Sequence, residues 1–166
     1  MNNNLPKTIL ITGATSGFGK ATAKLFNEKG WQTIITGRRA DRLEDLAKEL
    51  GDKSLPLAFD ISDRRAVKSA IQNISPNFNN ISVLCNNAGL ALGLEGADNA
   101  NLDDWDEMID TNIKGLVYAT RNILPLMVEN GEGHIINLGS VAGSYPYPGG
   151  NVYGGTKAFV SQFSLN

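Results

Sequence analysis

Five short apolar runs recur along the chain, and each precedes a stretch whose apolar residues return at helical spacing. Apolar runs of this length predict strands that are buried on both faces of a parallel sheet, and Pro56 in the third run predicts an edge or near-edge strand. The alternation of strand and helix predicts one α/β domain over residues 1–166, a doubly wound parallel sheet with helices on both faces. The predicted strands cover residues 8–12, 32–36, 54–59, 81–85 and 134–138.

The predicted helices carry recognisable end signals. The first helix ends at Lys29–Gly30, a cation followed by a residue that favours left-handed backbone. Ser62–Asp63 precedes another helix and supplies its cap. We predict that residues 102–129 form one long helix despite Gly115 and Pro125. The other predicted helices cover residues 41–50, 64–74 and 151–166.

Composition narrows the classes of function. The chain has 166 residues, 42% of them hydrophobic, and its net charge of −2 offers no basic surface for nucleic acid or an anionic membrane. The single cysteine, Cys85, cannot form an internal disulfide and fits a reducing cytoplasm, and one cysteine with one histidine argues against a zinc site. No apolar run approaches the roughly 18 residues of a membrane span, and residues 1–4 lack a secretory signal pattern. These features predict a cytoplasmic globular protein without a metal site.

A glycine-rich turn follows the first predicted strand. Gly13, Gly17 and Gly19 have the spacing Gly-x-x-x-Gly-x-Gly directly before a helix. Glycines allow a backbone to turn tightly and to approach a pyrophosphate, and a helix N-terminus points its free N–H groups at the anion. An ordinary tight turn would contain the same glycines, but the strand before and the helix after favour nucleotide binding.

The end of the second predicted strand indicates which dinucleotide would bind. NAD-binding units place an acidic residue there for the ribose 2′-hydroxyl. This chain has Gly37 followed by Arg38 and Arg39, which can bind a 2′-phosphate that no carboxylate repels. The alternative is that both arginines only open the next helix, although cations are unfavourable in a first turn. We therefore predict NADP(H) as the cofactor.

Polar residues also follow the third and fourth predicted strands. Asp60 can either accept a hydrogen bond from an adenine amino group or form a turn. Asn86 and Asn87 precede Ala88 and Gly89. That arrangement suits a backbone lying flat against a ligand, and the side-chain amides can also tie neighbouring loops together. Both segments are expected at the carboxyl ends of strands, where open α/β sheets bind ligands.

A phenol and an ammonium lie four residues apart, at Tyr153 and Lys157, and would share one helix face. The positive charge favours the phenolate, so Tyr153 is a candidate general acid and base for a carbonyl or hydroxyl group. Ser140 follows the fifth predicted strand. Asn112 lies within the long helix, where its amide faces either solvent or the interior, with hydrogen-bond partners in the second case. The Tyr-x-x-x-Lys pattern alone more often marks a solvated helix face, so its meaning depends on the rest of the chain.

In this order, the motifs resemble those of the short-chain dehydrogenase/reductase family. The resemblance implies a Rossmann-like sheet with strand order 3-2-1-4-5 that lacks the family's last two strands. It also implies that Tyr153 is the general acid/base and that Lys157 assists it. Ser140 would hold the substrate oxygen, and Asn112 would position a relay water. The residues that carry the resemblance are Thr12, Gly13, Gly17, Gly19, Asp60, Asn86, Asn87, Ala88, Gly89, Asn112, Ser140, Tyr153 and Lys157.

The resemblance further implies an NADP-dependent oxidoreductase. The segments 36–39, 86–93 and 148–159 are similar to a bacterial branch that acts on 3-hydroxy acids, which implies serine or 3-hydroxypropionate as substrate. The alternatives are a 3-oxoacyl or sugar alcohol reductase, or a nucleotide-binding fragment without activity. Helices 102–129 and 151–166 would form a homodimer or homotetramer. The implied cofactor-binding residues are Gly13, Thr15, Ser16, Gly17, Phe18, Gly19, Arg38, Arg39, Asp60, Ile61, Asn87, Ala88, Gly89, Tyr153 and Lys157.

Overall fold

The computed structural model describes residues 6–166, so the expectation about a signal in residues 1–4 lies outside the described part. The strands are β1 (Thr8–Ile11), β2 (Gln32–Gly37), β3 (Ser54–Ala58), β4 (Ile81–Asn86) and β5 (His134–Asn137). All neighbours are parallel and the order is β3-β2-β1-β4-β5, which confirms the predicted topology. β3, which contains Pro56, is an edge strand as predicted, and β5 forms the opposite edge within the described residues.

Helices follow each of these strands, and two of them have the predicted end signals. They are α1 (Gly17–Glu28), α2 (Ala40–Leu50), α3 (Arg64–Gln72), α4 (Leu102–Ile109), α5 (Leu116–Asn130) and α6 (Asn151–Leu165). The carboxylate of Asp63 accepts hydrogen bonds from the backbone N–H groups of Arg65 and Ala66, which confirms the cap of α3. Gly30 follows α1 with a left-handed φ of 86°. No helix in residues 6–166 combines the length and apolar character that crossing a membrane requires.

Two apolar layers cover the faces of the sheet. Successive residues of a strand point to opposite faces, so Leu10 packs towards α3 and α5, whereas Ile9 and Ile11 pack towards α1 and α2. This two-sided burial explains why the inner strands β1, β2 and β4 read as continuous apolar runs. Cys85 lies in the layer that contains Ile9 and Ile11, where burial raises the pKa of its thiol to about 11. The cysteine is therefore a packing residue.

One element prediction is wrong in detail, because residues 102–129 are not one regular helix. A wider π-helical turn at Asp110–Gly115 separates α4 from α5. This turn directs Asn112 into the interior, where it is 2% exposed, and a Cβ on Gly115 would lie 2.9 Å from side-chain atoms of Ile61. The packing of Gly115 on Ile61 and the buried amide are tertiary contacts, which helical periodicity does not reveal. The other predicted ends agree with the structure to within two residues.

Candidate active site

A cleft of about 750 Å³ opens where the carboxyl ends of the strands meet. The turn after β1 and the ends of β2, β3 and β4 form most of its wall, and α6 contributes the two residues at its far end. The predicted site residues that line it are Gly13, Thr15, Ser16, Gly17, Phe18, Arg38, Arg39, Asp60, Ile61, Asn87, Ala88, Gly89, Tyr153 and Lys157. Among the described residues, the predicted site members outside this lining are Gly19, Asn112 and Ser140.

Sequence reasoning missed several residues of the cleft wall. They are Thr36, Gly37, Phe59, Thr111, Leu138 and Gly139. Most of them directly precede a motif residue at a strand end. That position would have been enough to predict that they line the cleft. Thr111 is different, because it reaches the cleft through the π-helical turn. A regular-helix prediction contains no such signal.

The glycine-rich turn is shaped by close backbone contacts. Gly13 and Gly17 have left-handed φ angles of 67° and 54°, which favour glycine. A Cβ on Gly13 would lie 2.9 Å from the Cα of Ala88. A Cβ on Gly19 would lie 2.5 Å from both the Nδ2 of Asn87 and the carbonyl oxygen of Gly13. Gly19 therefore packs the start of α1 against the turn, which explains its position behind the cleft wall.

We expect Gly19→Ala to destabilise the fold by about 1–3 kcal/mol, because the added methyl group overpacks this contact. Urea denaturation of both proteins measures the change in the free energy of unfolding. The matched control is Gly155→Ala, at an exposed position in α6 where an added Cβ would meet nothing within 4 Å. There alanine should be neutral or stabilising, since glycine is a poor helix former. Equal effects of the two substitutions would contradict the packing role of Gly19.

The two asparagines after β4 have different roles. The Nδ2 of Asn87 donates to the carbonyl oxygens of Thr12 and Gly13, at 2.8 and 3.0 Å. The Oγ1 of Thr12 accepts from the backbone N–H groups of Asn87 and Ala88. Asn87 thus ties the turn after β1 to the turn after β4 while it lines the cleft. Asn86 donates away from the cleft, to the Oδ1 of Asn137 at 2.8 Å and to a hydroxyl of α5.

Arginines and a carboxylate occupy the end of the cleft near β2 and β3. The Nη1 of Arg38 donates to the Oε1 of Glu107 on α4 at 3.1 Å. Arg39 turns the other way and donates from Nη2 to the hydroxyl of Thr15 in the glycine-rich turn. The Oδ1 of Asp60 accepts from the backbone N–H and the hydroxyl of Ser62 at 2.9 and 2.7 Å, so Asp60 forms a turn while lining the cleft. Arg39 is the N-cap residue of α2, but its side chain bonds to the cleft wall at Thr15, whereas the side chain of Arg38 bonds to α4.

Tyr153 and Lys157 lie at the other end of the cleft. The Nζ of Lys157 donates to the carbonyl oxygen of Leu138 at 2.8 Å and lies 5.9 Å from the centroid of the Tyr153 ring. Lys157 is 7% exposed, and this burial lowers the pKa of its ammonium group. The Oγ of Ser140 accepts from the backbone N–H of Ala142 at 3.2 Å. Because the oxygen acts there as acceptor, its O–H remains able to donate.

Asn112 faces inward with a full set of partners. Its Oδ1 accepts from the backbone N–H of Leu90, and its Nδ2 donates to the carbonyl oxygen of Leu90 and to the Oγ1 of Thr156. These bonds join the loop after β4 to α6, one residue before Lys157. A Cβ on Gly89 would lie 3.2 Å from the Oδ1 of Asn112 and 3.6 Å from the Nζ of Lys157. Asn112 therefore positions the backbone at Gly89 and Leu90, which lies beside Lys157.

Comparison with known proteins identifies the family. Residues 7–166 match the family model described as short chain dehydrogenase. The chain is 54% identical over 158 residues to the NADP-dependent 3-hydroxy acid dehydrogenase of Escherichia coli strain K12, covering 95% of this chain and 64% of that protein. It is 57% identical over 158 residues to the serine 3-dehydrogenase of Rhizobium radiobacter, covering 95% of this chain and 63% of that protein.

Solved structures have the same fold. The structure of serine dehydrogenase from Escherichia coli has a TM-score of 0.93 at 54% identity, over 96% of this chain and 74% of that one. The closed form of serine dehydrogenase complexed with NADP⁺ has a TM-score of 0.94 at 54% identity, over 96% of this chain and 64% of that one. The chain thus spans somewhat less than two thirds of the length of the curated relatives it matches. It belongs to the short chain dehydrogenase family.

Proposed function

We propose that the protein is an NADP(H)-dependent oxidoreductase that interconverts the hydroxyl and carbonyl forms of a small 3-hydroxy acid, such as serine or 3-hydroxypropionate. The observation that carries the proposal is a single cleft with arginines and a glycine-rich turn at one end and the Tyr153–Lys157 pair at the other. The substrate class comes from the names of the relatives. Loops 90–101 and 141–150 contain no arginine or lysine that would bind a carboxylate.

The cleft residues fit a dinucleotide phosphate. Gly13 and Gly19 leave no room for a side chain, so the backbone of the turn can approach a pyrophosphate at the N-terminus of α1. Arg38 and Arg39 would bind the 2′-phosphate. Asp60 with Ile61 would contact the adenine, and the segment from Asn87 to Gly89 would lie against the riboses. When bound, the cofactor supplies or accepts the hydride.

The residues at the far end of the cleft supply the proton chemistry. Tyr153 transfers a proton to or from the substrate oxygen as the hydride moves at the carbinol carbon. The ammonium of Lys157 stabilises the phenolate, and the O–H of Ser140 donates to the substrate oxygen. Asn112 acts through its bonds to Leu90 and Thr156, which position this end of the cleft, and the family resemblance adds a relay water there.

Titration of the chain with NADPH and NADH, followed by nicotinamide fluorescence, tests the cofactor. We expect NADPH to bind more tightly, and we expect turnover with serine or 3-hydroxypropionate in the same preparation. Equal affinity for the two nucleotides would contradict the assignment of NADP(H). Selective NADPH binding without turnover would support the alternative of a nucleotide-binding protein. Sedimentation of that preparation tests the homodimer or homotetramer, which stays a prediction.

The double substitution Arg38→Ala with Arg39→Ala should weaken NADPH binding about tenfold or more, since it removes two charge-assisted hydrogen-bond donors from the 2′-phosphate. NADH lacks that phosphate and should lose less. The matched control is Arg42→Ala, an exposed arginine of α2 outside the cleft lining among the described residues. Equal losses for NADPH and NADH would mean that Arg38 and Arg39 do not recognise the 2′-phosphate.

A further inference from the structure

An ion pair links the end of β2 to α4 beside the cleft. The Nη1 of Arg38 lies 3.1 Å from the Oε1 of Glu107, and the two side chains are 58% and 42% exposed. Arg38 lines the cleft, and so does Thr111, one helical turn after Glu107. Glu107 therefore holds Arg38 at the rim of the region that the proposed function assigns to the adenosine end of NADP(H).

The carboxylate of Glu107 and a 2′-phosphate are alternative acceptors for one guanidinium. Arginine offers five N–H donors in a planar fork, which binds either a carboxylate or a phosphate. The contact to Glu107 uses a single nitrogen, and its partner carries a full negative charge that would also repel a phosphate placed on Arg38. Three further acidic residues precede Glu107 on α4, namely Asp103, Asp104 and Asp106, and α4 itself contains no basic residue.

We propose that Glu107 is a specificity-determining residue that competes with the 2′-phosphate for Arg38 and so reduces the preference for NADP(H) over NAD(H). This inference rests on the proposed function. Binding of NADPH requires Arg38 to leave or share Glu107. Binding of NADH leaves the ion pair undisturbed, because NADH carries no phosphate at that position.

The expected effect follows from the exposure of the pair. An exposed ion pair is weak and screened by salt, so its removal should tighten NADPH binding about two- to fivefold at low ionic strength, and less at high salt. The substitution Glu107→Gln removes the charge and retains an amide oxygen of the same reach. The 2′-phosphate is isolated by comparing adenosine 2′,5′-bisphosphate with adenosine 5′-monophosphate as probes.

The experiment measures dissociation constants of NADPH, NADH and the two adenosine phosphates for the wild-type chain, Glu107→Gln and Asp106→Asn. We expect Glu107→Gln alone to tighten NADPH and the bisphosphate, with NADH and the monophosphate unchanged. Asp106→Asn is the matched control, since it removes one charge from the same helix at an exposed neighbouring position. A weaker or unchanged affinity of Glu107→Gln for NADPH would overturn the proposal, as would an equal gain in Asp106→Asn.

A second arm separates the ion pair from the general field of α4. In an Arg38→Ala background, Glu107→Gln should no longer tighten NADPH binding, because the guanidinium for which the carboxylate and the phosphate compete is absent. A gain that persists without Arg38 would overturn the competition. A wild-type chain that binds neither nucleotide would overturn the proposed function and this inference together. Selective NADPH binding that Glu107→Gln leaves unchanged would overturn the inference alone.

Discussion

Replacing Tyr153 by phenylalanine is expected to lower kcat by about 10²- to 10⁴-fold, the usual contribution of a positioned acid/base, and to change NADPH affinity by less than about twofold. The substitution removes only the hydroxyl that would exchange a proton with the substrate. The ring remains beside the Nζ of Lys157, so the shape of the cleft is retained. Initial rates with serine or 3-hydroxypropionate, together with a fluorescence titration of NADPH, separate the two effects.

The matched control for this prediction is Tyr145→Phe. Tyr145 is 73% exposed in the loop that precedes α6 and lies outside the cleft lining among the described residues. Loss of its hydroxyl should leave both kcat and NADPH affinity unchanged. A Tyr153→Phe variant with the wild-type rate would remove Tyr153 from the mechanism. A Tyr153→Phe variant that lost both kcat and NADPH affinity would show that the hydroxyl supports the structure of the cleft, and its role would then not be limited to proton transfer.

The fold could be predicted from the sequence because the strands of a covered parallel sheet are apolar on both faces. The run from Thr8 to Ile11 is buried at every position, so its side chains had to be apolar or small throughout. End signals also depend on local chemistry, and for this reason the cap at Asp63 and the left-handed Gly30 were predictable. The π-helical turn was not predicted, since the contacts that its residues make with Ile61 and Leu90 are tertiary and leave no local pattern in the sequence.

The candidate site was predictable where a motif sits at the end of a strand, because the topology of the sheet brings such ends together. The direction of each side chain was not predictable. Asn86 and Asn87 are neighbours in sequence, yet one bonds to β5 and the other to the turn after β1. The partner of Arg38 was also missed, since Glu107 lies 69 residues further along and no local pattern connects them.

Replacing Lys157 by methionine is the second large effect that we expect, and it should separate function from stability. The proposed mechanism gives the ammonium of Lys157 the task of assisting proton transfer by Tyr153, so its loss should lower kcat by about 10²-fold or more. The free energy of unfolding at pH 7 should instead stay the same or rise by about 1 kcal/mol. Lys157 is 7% exposed, and the cost of burying its charge is the cause of its lowered pKa.

The fold can accept methionine at position 157 because little else depends on the ammonium. Methionine is unbranched and apolar with a similar reach, so it fills the same space. The lysine's bond to the carbonyl oxygen of Leu138 would be lost, but Leu138 lines the open cleft, where water can donate instead. The matched control is Lys114→Met, since Lys114 is half exposed and paired with Asp110, and methionine there should bring no gain.

The pH dependence of unfolding tests whether the buried charge of Lys157 destabilises the fold. The pKa of Lys157 is lower in the folded chain than its ordinary value of 10.5, so between those two values the unfolded chain holds more protons. Stability of the wild-type chain therefore rises with pH in that window, relative to a variant without the group. The advantage of Lys157→Met should be largest below the folded pKa and should shrink as the pH approaches 10.5. Urea denaturation across this range measures it, and an advantage that grew with pH would contradict burial of a charged lysine.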